Sequence, residues 1–137
     1  MEGQFSPPTK PELIMNIAAD QIANLANRLE QIGFGPARSR TFAQKAPEEA
    51  SKIVAFDDAC HAKHLRFRAF NSSGRSGYYA RLRLKVITGD ADNAYTDSRG
   101  FTGPQEDCEV GSMGITWAQI SAIEDAIETI GQEAGVN

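Results

Sequence analysis

Two runs of strict alternation dominate what this chain can fold into. Leu65-Arg66-Phe67-Arg68-Ala69-Phe70 and Tyr79-Ala80-Arg81-Leu82-Arg83-Leu84-Lys85-Val86 each place polar and apolar side chains on opposite sides of an extended backbone. Between them lies Asn71-Ser72-Ser73-Gly74-Arg75-Ser76-Gly77, a stretch of small, turn-forming residues. The spacing predicts an antiparallel pair with one apolar face and one basic face.

The same segment concentrates the positive charge. Lys63, Arg66, Arg68, Arg75, Arg81, Arg83 and Lys85 fall between Ala59 and Gly89, where no Asp or Glu occurs, although the whole chain carries a net charge of −4. Those seven cations leave −11 for the remaining residues, so the chain is dipolar in sequence. Parity puts Phe70 with Arg66 and Arg68, and Tyr79 with Arg81, Arg83 and Lys85. Rings and cations on one surface suit a single nucleic-acid strand, whose bases stack while its phosphates attract charge. Lys63, Arg66, Arg68, Phe70, Arg75, Tyr79, Arg81, Arg83 and Lys85 are therefore the candidate nucleic-acid contacts. Five phosphate contacts on a single strand imply a log–log salt slope of about −3.5.

Around this hairpin the chain reads as one α+β domain. Residues 1–8 are Pro-rich and expected to be disordered, with the domain covering 9–137. Thr9-Lys10-Pro11-Glu12 has capping-box spacing, and Ile14, Ile17, Ala18, Ile22, Leu25, Leu29 and Ile32 make an apolar stripe that stops at Gly33. A helix is predicted over about 11–32. Residues 37–61 allow a short helix after Pro47 or a short strand at Lys52–Phe56, and the helix is preferred. Residues 88–112 read as a long loop with short strands at Ala94–Thr96 and Asp107–Val110. Thr116-Trp117-Ala118-Gln119 opens a second long helix with Ile120, Ile123, Ile127 and Ile130 inward, closed by Gly131. Trp117 is expected to contribute to stability through a buried ring.

Other chemistries are poorly supported. Cys60-His61-Ala62-Lys63-His64 with Cys108 contains zinc-ligating residue types but lacks paired spacing. A zinc-dependent regulator built on Cys60, His61, His64 and Cys108 remains a competing reading, and no metal or other cofactor is expected. The Asp90-x-Asp92 pattern has Tyr95 and Phe101 where a calcium loop needs Gly and Glu. No phosphate loop, nucleophile elbow or carboxylate pair suggests an enzyme. The N-terminus lacks the pattern of a secretion signal and no apolar run is long enough to span a bilayer, so a cytoplasmic protein with reduced thiols is expected.

The segment Ser112-Met113-Gly114-Ile115-Thr116-Trp117 running into an Ile-striped helix resembles the end of the positive cofactor four family, transcriptional coactivators with bacterial and phage relatives. Phe70-Asn71-Ser72-Ser73-Gly74-Arg75 and Tyr79-Ala80-Arg81-Leu82-Arg83 are similar to that family's strand–turn–strand. Met113 stands where the family usually has Lys, and the acidic loop at 89–111 is longer. Over about residues 64–131 the resemblance implies a curved antiparallel sheet backed by the C-terminal helix. It further implies a homodimer through that helix and single-stranded DNA on the basic strands.

The expected function is low-specificity binding of single-stranded DNA in replication, recombination or transcription, with RNA not distinguished. The alternative is an interaction protein, such as an immunity protein or phage-encoded inhibitor, whose basic hairpin docks onto an acidic protein.

Overall fold

The computed structural model describes residues 10–73, 79–88, 104–111 and 114–136, with the side chains of 10–18, 72–73, 79–80 and 88 left aside. Among the described residues seven elements follow one another: α1 (Lys10–Ile32), α2 (Pro36–Lys45), α3 (Pro47–Ala62), β1 (Leu65–Ser73), β2 (Tyr79–Thr88), β3 (Gln105–Gly111) and α4 (Trp117–Ala134). The strands form one antiparallel sheet in the order β1-β2-β3, giving the α+β class that the sequence implies. Among the described residues no helix is long and apolar enough to cross a membrane.

Alternation sets the two faces of the sheet. Phe67 and Ala69 of β1, Leu82, Leu84 and Val86 of β2, and Cys108 and Val110 of β3 all turn inward and are buried. Against them pack α3, which meets β1, and α4, which meets β2 and β3. Phe56 of α3 meets Phe67 edge-on with ring centroids 5.1 Å apart, joining the helical layer to the first strand.

The helix signals are local and mostly behave as read. α1 ends at Gly33, whose φ of 126° lies outside the range of ordinary side chains; a Cβ there would fall 2.0 Å from the Ala69 carbonyl oxygen. Glycine therefore lets the α1 terminus approach the edge of β1. Residues 36–62 form two helices, not one short one. Pro36 and Pro47 each sit in a first turn, and Ala46 links the helices by donating its N–H to Phe42 O. The packing that supports the pair is mostly apolar: Phe34 meets Phe42 edge-on, and Ala43, Ala46, Ala50, Ile53 and Cys60 are buried, with Arg38, Ser39 and Asp57 as the polar residues buried among them.

At α4 the capping box forms in full, Gln119 N–H donating to Thr116 Oγ1 and Thr116 N–H to Gln119 Oε1. Ile115 and Ile120 are both buried beside it. Two expectations for this helix need correction. Gly131 does not close it: Gly131 is buried within the helix, which runs to Ala134 and ends at left-handed Gly135. There Val136 N–H reaches Gly131 O and Gly135 N–H reaches Gln132 O, the paired bonds of a Schellman cap. Trp117 is not buried either. As the first helical residue it points away from the Ile stripe, and it remains 54% exposed.

The expected Thr9 cap, the strand at Ala94–Thr96 and the N-terminal stretch 1–8 lie outside the described residues.

Candidate nucleic-acid interface

Strand register decides which cations share a surface. Arg66 lies opposite Ile87, Arg68 opposite Lys85, and Phe70 opposite Arg83, while Arg81 follows on the same side of β2. Five of the predicted cations and one predicted ring thus belong to the outer face of the sheet, away from α3 and α4. Arg75 and the Tyr79 side chain lie outside the described residues. Lys63 is placed elsewhere: at the end of α3 its ammonium donates to Gly135 O at 2.6 Å, linking the C-termini of two helices.

The outer face is not uniformly basic, because β3 adds side chains to it. In register, Glu109 opposes Arg81 and Asp107 opposes Arg83. Arg83 closes on Asp107 in a two-pronged contact, Nε to Oδ1 at 3.0 Å and Nη2 to Oδ2 at 3.4 Å. This carboxylate holds the guanidinium charged to higher pH than usual. Both partners are well exposed, so the pair tunes the surface charge more than it stabilises the fold.

Lys85 departs from its expected solvent-facing role. It sits on the central strand between Arg68 and Gln105 and is 5% exposed, with the neighbouring outer-face residue Ile87 fully buried. Alternation predicted its side correctly, but that end of the face is closed over. Arg68 turns toward the sheet edge, where its Nη1 donates to Gln31 O at the end of α1 at 2.6 Å. Arg66 and Arg68 also line a cavity of about 70 Å³ at that edge, together with Gln31, Asp57 and His61. Asp57 is buried there, 3.1 Å from Arg28 and 3.5 Å from His61.

Sequence reasoning passed over Arg38 and its helix. Arg38 is 4% exposed, and its guanidinium donates to carbonyl groups, with no carboxylate partner among the described residues: Phe34 O at 2.7 Å, Gly111 O at 2.8 and 3.0 Å, and Asn71 Oδ1 at 2.5 Å. Burial accordingly lowers its pKa. Asn71 in turn donates to Gly33 O. One side chain thereby ties α2 to the last part of β1 and the end of β3. The available signal was compositional: no Asp or Glu occurs between Gln31 and Pro47, so Arg38, Arg40 and Lys45 form a second acid-free basic stretch.

The cysteine–histidine motif dissolves in three dimensions. Cys60 and Cys108 are buried in the core, and Cys108 directs its thiol to Ala122 O of α4 at 3.7 Å. Burial, reinforced by nearby Asp57, pushes the Cys60 thiol up to about 12. Burial pushes Cys108 up to about 11, with Glu106 and Asp107 adding to the shift. No group of three or more His, Cys, Asp or Glu residues that could hold a metal ion occurs among the described residues.

Comparison of the chain with family models, with curated proteins and with solved structures finds no match.

Proposed function

We propose that the outer face of the β1-β2-β3 sheet binds single-stranded nucleic acid with little sequence preference. The observation that carries this reading is the register that gathers Arg66, Arg68, Phe70, Arg81 and Arg83 on one side of a sheet whose other side is covered by helices. Phosphates would follow the guanidinium groups, and Phe70 offers a ring for stacking. The resemblance of residues 64–131 to the positive cofactor four family implies the same ligand. A dimer through α4 would have to use its polar side, since Ile120, Ile123, Ile127 and Ile130 are buried in the chain's own core.

Fluorescence anisotropy with labelled oligo-dT at low and high salt tests the reading. Binding is expected at low salt, and Arg81→Glu with Arg83→Glu should weaken it by about tenfold or more while the circular-dichroism spectrum is retained. Unchanged affinity in that double variant refutes the site.

A second reading is favoured by Asp107 and Glu109. Their carboxylates, interleaved with Arg83 and Arg81, make a mixed-charge surface of the kind that recognises a protein with complementary charge. Absence of oligonucleotide binding even at low salt supports this protein-docking alternative.

A further inference from the structure

We infer that Trp117, together with Lys45 of α2, forms a second contact for the same nucleic-acid strand, with the indole as a platform for an unpaired base. The inference rests on the nucleic-acid reading above and extends it to a part of the molecule outside the hairpin.

Trp117 is the one large apolar side chain that stands exposed among the described residues. Loose packing does not account for this. The capping box around it is complete, and Ile115 before it and Ile120 after it are 4% and 1% exposed. A firmly seated helix start thus presents an indole to solvent, an arrangement that is common at binding surfaces and unhelpful to folding.

Its surroundings suit a base flanked by phosphates. The Lys45 ammonium lies 5.9 Å from the ring centroid, within the range of a cation–π contact. Arg40, Gln44 and Lys45 are exposed on α2, and the nearest acidic residue further along the chain is Glu48. Indole is a strong stacking surface for any base, and cations beside it serve the backbone without reading sequence.

The patch also lies toward the correct end of the sheet. Arg38 fastens α2 to Asn71 and to Gly111, where β1 nears its end and β3 ends. Phe70 and Arg81 occupy that same end, since Asn71 pairs with Leu82 and Arg81 with Ser72. A strand leaving the outer face beyond Phe70 therefore runs off toward the end from which α4 begins.

The chain contains a single Trp, so emission excited at the red edge of the indole band, where its tyrosines do not absorb, reports this side chain alone. The full chain is titrated with unlabelled oligo-dT while anisotropy of labelled oligo-dT is followed in parallel. Trp117 emission is expected to fall along the same isotherm as the anisotropy rise. Trp117→Ala should weaken binding by about 5- to 100-fold with its melting temperature nearly unchanged, and Trp117→Phe should recover part of the loss. Lys45→Gln should weaken binding less. If anisotropy reports binding while the emission stays constant and Trp117→Ala binds like the parent chain, this inference is overturned and the sheet-face reading stands. If neither signal changes at low salt, both fail together.

Discussion

The outer face of the sheet and the exposed side of α2 are both basic in sequence, yet the fold treats them differently. On the sheet, Arg81 and Arg83 meet Glu109 and Asp107 from a strand more than 20 residues further along. On α2, Lys45 meets the indole of Trp117. Each region also buries one cation, Lys85 on the outer face in the first and Arg38 in the second. The comparison teaches that clustering of charge along a chain does not determine the potential of a surface. What matters is which distant residues the fold brings opposite it.

The largest effect expected from breaking this comparison is on stability. Arg38→Ala removes the donors for Phe34 O, Gly111 O and Asn71 Oδ1 in a buried site, and should lower stability by about 3 kcal/mol or more in chemical denaturation. Arg40→Ala, two residues further on, exposed and on the opposite side of α2, should change it by less than about 0.5 kcal/mol. Equal losses in the two variants would show that Arg38 does not clamp α2 to the sheet.

A smaller, opposite effect is expected when the anions of the sheet are removed. Asp107→Asn with Glu109→Gln should tighten oligo-dT binding by roughly three- to tenfold at low salt, and the gain should shrink as salt rises. Stability should shift by no more than about 1 kcal/mol, because the Arg83–Asp107 pair is exposed. Weaker binding in this variant would mean that the carboxylates themselves contact the partner, which favours the protein-docking alternative.

The smallest effect concerns the thiols at neutral pH, where none is expected. Cys60 and Cys108 are shifted upward from 9.0, to about 12 and about 11, so the folded state keeps both protonated. Their contribution is fully present below pH 9.0 and is lost as pH rises from there through those values, because the unfolded thiols ionise first. In native protein at neutral pH, a thiol reagent should react only as fast as the chain opens. Immediate labelling would show that these side chains are accessible, and would reopen the zinc reading.

Much of the secondary structure was legible because its signals are short-ranged. Alternation in residues 65–70 and 79–86 identified both strands and their inward sets, and Thr116 with Gln119 marked the start of α4. Residues 36–62 were harder. Short helices with mixed faces lack a clear apolar period, and the two prolines that begin them also suit turns. Gly131 misled because glycine ends many helices, whereas here a buried position in α4 accommodates it and Gly135 supplies the left-handed cap.

By itself the sequence determined an α+β chain, a hairpin with basic residues on one side, and two long amphipathic helices, since each depends on periodicity and capping within a few residues. Only tertiary structure decided that Asp107 would neutralise Arg83, that Lys85 and Arg38 would be buried, that Lys63 would join helix ends, and that Trp117 would face solvent. Each of those outcomes depends on strand register or on packing between elements far apart in the chain, and no local pattern encodes a neighbour supplied from that distance.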